Sequence, residues 1–141
     1  MISKLSGYCS AKYFRKAGMQ MALKPTTEET IWDLMNGAEA RMTVQQSRLW
    51  EAIRIMPEKW AQSPFGDLEG GFWAVAILGR RVVWYNDIEG GFNRSRYTSY
   101  GTIGEYWSNE DPLELTIQHL LTSIELGYDA GGFCGPPQPV R

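Results

Sequence analysis

The stretch from Phe72 to Asn86 constrains the fold of this chain more than any other. Two runs rich in aromatic and β-branched residues, Phe72–Leu78 and Arg81–Asn86, flank the dipeptide Gly79-Arg80. Runs of this composition favour β-strands, and a two-residue loop led by glycine favours a type II′ turn. The sequence therefore predicts an antiparallel hairpin.

The turn also fixes which residues face each other, because a shift of one residue would exchange the two faces of a strand. With this pairing both faces are largely apolar, and each must be covered by the chain's own helices or by a partner. A face left uncovered would also suit a homodimer. The predicted pairs are Leu78 with Arg81, Ile77 with Val82, Ala76 with Val83, Val75 with Trp84, Ala74 with Tyr85 and Trp73 with Asn86.

A third strand is predicted over Phe92–Tyr100. Its residues from Asn93 to Ser99 are nearly all polar, and they include Arg94 and Arg96. This composition fits an edge strand protected by charge, or a strand that presents side chains to a ligand.

One helix is predicted to begin after Pro25, with Thr26 as its cap. Acidic residues follow in the first turn, where they face the positive end of the helix dipole. Apolar residues then recur at helical spacing as far as Met42, although Gly37 weakens the second half.

A second helix is predicted behind the capping box of Thr43 and Gln46. Pro57 removes a backbone donor, so this helix must stop or kink near Met56. Its predicted apolar stripe is Leu49, Trp50, Ile53, Met56 and Trp60.

The last predicted helix begins at Asp111-Pro112 and stops at Gly127. His119 falls off its apolar stripe, which predicts a surface histidine. The order of elements is helix, helix, meander, helix. It predicts an α+β fold in which an antiparallel meander of three or more strands packs against N-terminal helices and one C-terminal helix.

The charge distribution suggests where the domain begins. Residues 1–24 carry five basic residues and no acid, which leaves 9 basic against 16 acidic residues, a net charge of −7, for residues 25–141. The leader fits an organellar transit peptide, a start codon assigned too early with Met21 as the true start, or a short docked helix over 11–19. We expect one domain over 25–128 and a loose Gly/Pro-rich tail over 129–141.

The composition of the chain excludes several classes of protein and of site. No apolar run approaches the ~20 residues that span a bilayer. The chain has two cysteines and one histidine, too few for a disulfide scaffold or a site with several histidines. We therefore expect free thiols, a cytoplasmic location, and no cofactor or metal.

The loop after the hairpin, Asn86–Gly91, contains Asp87 and Glu89. Two carboxylates could form an acid/base pair, with or without His119, or they could bind a hard cation. Asp, Asn and Gly are also the residues that a tight turn selects. The loop is therefore interpreted in two ways: as the acidic site of a small enzyme, or as a tight turn with no chemical role.

Arginines and tyrosines on strands can neutralise and stack on single-stranded nucleic acid, and Arg94, Arg96, Tyr97 and Tyr100 would form such a surface. The acidic body disfavours this alternative. Tyrosine, tryptophan and arginine also dominate protein interfaces. The expected partner-binding residues are Asp87, Glu89, Arg94, Arg96, Tyr97, Tyr100, Glu105, Tyr106, Trp107, Glu110 and Asp111.

The segments FWAVAILGRRVVWYNDIEGGFN and IGEYWSNEDPLELTIQHLL resemble the layout of small bacterial immunity proteins from contact-dependent inhibition and polymorphic-toxin systems. That resemblance implies an aromatic antiparallel sheet before a closing helix, on an acidic body. It also implies a non-catalytic protein that neutralises a basic toxin by binding it. An acidic surface would steer such a partner into contact.

Overall fold

The computed structural model describes residues 26–135 and confirms the α+β fold with an antiparallel meander. Three helices and four strands are present in that range, and the sheet order follows the chain, β1-β2-β3-β4. The elements are α1 Glu28–Arg41, α2 Val44–Ile53, β1 Arg54–Trp60, a 3-10 turn Asp67–Glu69, β2 Phe72–Leu78, β3 Arg81–Asn86, β4 Gly91–Arg96 and α3 Leu113–Leu126.

The two faces of the sheet are covered in different ways. The helices cover one face, where Trp50, Val83 and Ile117 are among the buried residues. The other face holds a second core around Trp60, Phe72 and Trp84, which loop residues close. The chain's own elements therefore cover both apolar hairpin faces.

The sheet curls around this second core. Ala61, just after β1, and Arg96, at the end of β4, both form backbone hydrogen bonds to residues 101–104. These two strands are the opposite edges of the sheet, so the segment 101–104 ties one edge to the other.

The hairpin turn is confirmed, and the register is correct only near it. Leu78, Ile77 and Ala76 pair with Arg81, Val82 and Val83 as predicted. Beyond them the register shifts, so that Ala74 pairs with Trp84 and Trp73 with Tyr85. A β-bulge at Val75 causes the shift, and it places Val75 and Trp73 on the helix-covered face.

The prediction that Met56 and Trp60 belong to the apolar stripe of the second helix is wrong. The helix ends at Ile53, and the chain continues directly into β1. Pro57 is tolerated because β1 is an edge strand, and the register is irregular between Arg54 and Glu58. The Thr43–Gln46 capping box is confirmed.

The first helix differs slightly from its prediction. Its cap is Thr27, whose hydroxyl accepts the N–H of Thr30, and the helix continues through Gly37 to Arg41. The predicted third strand is also shortened: β4 ends at Arg96, so Tyr97 and Tyr100 lie in the following turn.

Residues 129–135 are bound to the body, so the expectation of a loose tail is wrong for them. Asn109 donates to the carbonyl of Gly132 and accepts from the N–H of Cys134, and Ser108 bonds the carbonyl of Cys134. We call residues 127–135 the C-terminal strap. Because Gly131 lies against the imidazole of His119, that side chain is buried and not at the surface as predicted.

Cys134 is disulfide-bonded, which makes the expectation of a free thiol wrong at this position. Cys9 lies outside the described residues, as does the whole leader. Among residues 26–135, no helix is both long and apolar enough to cross a bilayer.

Candidate functional site

Charges of opposite sign gather at the two ends of the sheet. Arg81 begins β3 and pairs with Arg96 at the end of β4, and Arg80 lies in the adjacent turn. At the other end, Asn86 pairs with Gly91 and the loop between them carries Asp87 and Glu89. Residues 26–135 carry 8 basic and 16 acidic residues, a net charge of −8, so the arginine end is an exception on an acidic body.

The β3–β4 loop contributes two of the carboxylates at the acidic end of the sheet. The side-chain oxygen of Asn86 accepts the N–H groups of Ile88 and Glu89, at 3.0 and 3.2 Å, which fixes the loop. The backbone of Glu110 lies directly against Gly91. We name this group of carboxylates the acidic end: Glu69, Asp87, Glu89 and Glu110.

Two of these carboxyl groups interact directly. Burial, together with a hydrogen bond and charge repulsion from Asp87, raises the pKa of Glu69 above its usual value. The charge of Lys59 acts in the opposite direction but less strongly, and its ammonium donates to the carbonyls of Glu69 and Gly71. A cation brought to this end would relieve the repulsion between the two carboxylates.

The arginine end contains a cleft of about 500 Å³ between β4, residues 105–107 and the C-terminal strap. Its volume lies within the range of small-molecule sites. We call it the arginine cleft. It is lined by Arg81, Arg94, Ser95, Arg96, Glu105, Trp107, Gly127, Tyr128, Asp129 and Phe133.

Arg94 is the fixed centre of the arginine cleft. Its side chain is 1% exposed, and its Nε and Nη2 donate to the two carboxylate oxygens of Asp129 at 2.7 and 2.8 Å. The guanidinium also lies over the ring of Phe133, 4.1 Å from the ring centre. Arg81 donates to the same Asp129 at 3.3 Å and to Ser123 at 3.2 Å.

Two arginines therefore share one carboxylate, which leaves positive charge in excess. Burial alone would raise the pKa of Asp129, but hydrogen bonds and charge from Arg94, with further help from Gly131 and Arg81, lower it below its usual value. At Asp129 the hydrogen bonds and charges of its neighbours therefore outweigh the effect of burial.

The predicted partner-binding residues do not form one patch. Four of them line the arginine cleft: Arg94, Arg96, Glu105 and Trp107. Three belong to the acidic end: Asp87, Glu89 and Glu110. Glu89, Arg94 and Asp111 are buried, with exposures of 4%, 2% and 1%, so these side chains offer a partner almost no surface to contact.

The three predicted tyrosines pack against aromatic rings at or around the second core. The ring of Tyr97 packs edge-on against Trp60 at 5.0 Å, and Tyr100 packs on the same indole at 4.8 Å. Tyr106 stacks on Phe65 at 3.9 Å. Of these three only Tyr100 is exposed, so they do not form one exposed surface with Arg94.

The small-enzyme hypothesis needs Asp87, Glu89 and His119 in one site, but His119 contacts other residues than Asp87 does. His119 lies beside Asp111, with Nε2 3.8 Å from Oδ2, and against Gly131 of the strap. Asp87 instead acts on Glu69 at the acidic end. Within residues 26–135, no three His, Cys, Asp or Glu side chains are arranged to hold a metal ion.

Asp129, Phe133 and Tyr128 were not predicted as site residues, because they follow the last helix in a Gly/Pro-rich segment. The signal that could have found them is composition: an acid and two aromatics separated by glycines after a polar, arginine-bearing strand. Glu69 was missed because only the fold brings it to Asp87.

Comparison with known proteins returned no matching family model, no similar curated protein and no similar solved structure.

Proposed function

We propose that this chain is a non-catalytic protein-binding module that binds a basic protein partner through its acidic end. The main support for the proposal is that the fold holds Glu69 close enough to Asp87 for Asp87 to raise its pKa, while the backbone of Glu110 lies against Gly91 at the end of the same loop. Like charges held together by the fold are relieved by an incoming cation. Lysine or arginine side chains of a partner would supply it.

The charge of the whole body supports the same partner. With a net charge of −8 over residues 26–135, long-range attraction would accelerate encounters with a basic protein and repel acidic ones. The finer proposal, which rests on the resemblance to small bacterial immunity proteins, is that the partner is a toxin domain and that binding blocks its cationic groups.

The expected cytoplasmic location belongs to this proposal. The bonded Cys134 weighs against it, because disulfides persist mainly in oxidising compartments. A location in which disulfides are stable would leave the charge argument intact.

The proposal is tested by affinity capture of the full chain from host lysate, with and without nuclease, at low and moderate salt. We expect one basic protein to be retained regardless of nuclease, and to be released as salt screens the charges. Retention of nucleic acid alone, or of no basic protein, would contradict the proposal.

A pair of double variants connects the capture to the acidic end. Asp87→Lys with Glu110→Lys should abolish retention at moderate salt. Asp33→Lys with Glu125→Lys changes the net charge equally, but these residues lie on α1 and α3, both exposed. We expect this control to retain the partner. Equal loss in both double variants would show that the acidic end is not the binding surface.

A further inference from the structure

We propose that the arginine cleft binds a small phosphate ester that carries a planar ring, of about the size of a mononucleotide. This site lies at the opposite end of the sheet from the acidic end and does not depend on the function proposed above. Three arginines, a cleft of about 500 Å³ and three aromatic side chains carry the proposal.

The arginines provide the chemistry that recognises a phosphate. Guanidinium groups present planar donor forks that match phosphate oxygens in pairs. Arg94 is held rigid by Asp129 and Phe133, while Arg96 is exposed and Arg81 is partly exposed, with 30% of its side chain accessible. We assign the phosphate to Arg81 and Arg96, with the buried Arg94 supplying fixed positive charge.

The two carboxylates of the cleft do not cancel this charge. Both oxygens of Asp129 already accept hydrogen bonds: Oδ2 from Arg94 and Arg81, and Oδ1 from Arg94 and the N–H of Gly131. Oε1 of Glu105 accepts the backbone N–H of Arg96 and the indole N–H of Trp107. Arg81, Arg94 and Arg96 against these two acids leave a net charge of +1.

The aromatic side chains explain why the ligand should carry a ring. The ring centre of Trp107 lies 4.6 Å from that of Phe133, and the guanidinium of Arg94 lies over the Phe133 ring. Tyr128, by contrast, is 62% exposed at the cleft. Such an exposed ring offers a stacking surface for a planar group, as aromatic side chains do for bases in single-strand binders.

The test is calorimetric titration of the full chain with adenosine 5′-monophosphate, ribose 5-phosphate, adenosine, sulfate and an oligothymidylate. We expect the nucleotide to bind more tightly than ribose 5-phosphate, and adenosine and sulfate to bind most weakly. Absence of binding by the nucleotide at millimolar concentration would overturn the proposal. Equal affinity for sulfate and the nucleotide would overturn the stacking role of the ring.

Variants locate the site. Arg96→Glu should weaken nucleotide binding at least about tenfold, whereas Arg48→Glu, at an exposed position on α2, should leave it unchanged. Tyr128→Ala should weaken the nucleotide and not ribose 5-phosphate. Circular dichroism checks that each variant is folded. Equal effects of Arg96→Glu and Arg48→Glu would overturn the assignment, as would an oligothymidylate that binds far more tightly than the mononucleotide.

Discussion

Asp129 holds Arg94 with both carboxylate oxygens, at 2.7 and 2.8 Å, across 35 residues of chain. The pair fixes the C-terminal strap on β4 and buries a guanidinium at the wall of the arginine cleft. A strand residue that looked available to a partner is thereby committed to the fold.

We predict that Asp129→Asn destabilises the protein by about 3 kcal/mol, because it leaves the buried guanidinium of Arg94 without its counter-charge. Urea denaturation measures the change in the free energy of unfolding. The control is Glu114→Gln, which breaks a pair with Arg41 whose guanidinium side is 57% exposed. We expect the control to cost far less, and equal costs would refute the structural role of the pair.

The same pair should make stability depend on pH. The folded pKa of Asp129 lies below its unfolded value, so its stabilisation is present above the unfolded pKa and is lost as pH falls through the folded pKa. The stability difference between the wild type and Asp129→Asn should therefore shrink as pH falls from neutrality into that range. A difference that is constant with pH would contradict the lowered pKa.

Glu69 should show the opposite dependence. Its folded pKa is raised, so the contribution of the carboxyl to stability is fully present below the unfolded pKa and is lost as pH rises through the folded pKa. We predict that Glu69→Gln stabilises the protein at pH 7, by on the order of 0.5 kcal/mol after solvent screening. Thermal unfolding at neutral and acidic pH measures it, and the gain should vanish below the unfolded pKa.

Tyr106 offers a test of the second core. Its hydroxyl accepts a hydrogen bond from the buried amide of Asn86 at 2.9 Å, and the same amide nitrogen also donates to the carbonyl of Trp107. We predict that Tyr106→Phe costs about 1–2 kcal/mol, because one amide proton loses its acceptor. Burial raises the pKa of Tyr106, so spectroscopic titration should find this phenol un-ionised where exposed tyrosines ionise. Its ionisation near the ordinary tyrosine pKa would contradict the burial.

Gly131 tests the contact between strap and helix. A Cβ at this position would lie 2.5 Å from both Arg94 Nη2 and His119 Nδ1, whereas Gly135 has open space around it. We predict that Gly131→Ala displaces the strap and speeds hydrogen exchange over 129–135, and that Gly135→Ala does not. Identical protection in both variants would mean that the strap is not closed over His119.

The sequence predicted the fold class because the local signals were strong. The glycine-led turn at Gly79-Arg80 and the capping box at Thr43 each depend on a few neighbouring residues, and both are present. The bulge at Val75 was not predicted, because no residue in the hairpin marks the position at which the register shifts.

The predictions from sequence were wrong where contacts between segments distant in the chain determine secondary structure or burial. Met56 and Trp60 continue a helical spacing from Trp50, yet they lie in an edge strand that pairs with β2. His119 and Arg94 look exposed on their own elements, and the strap buries both. The arginines of the candidate site could therefore be predicted from the sequence, but their partner Asp129 could not.

Binding of a basic partner through the acidic end is tested most directly by the rate at which the captured partner associates with the wild type and with the two double variants, measured over a range of salt concentrations. We predict that Asp87→Lys with Glu110→Lys slows association at low salt by at least about tenfold, while Asp33→Lys with Glu125→Lys slows it much less. Added salt should narrow the difference in rate between the two double variants. Equal rates for the two double variants, or a wild-type rate that does not change with salt, would contradict binding through the acidic end.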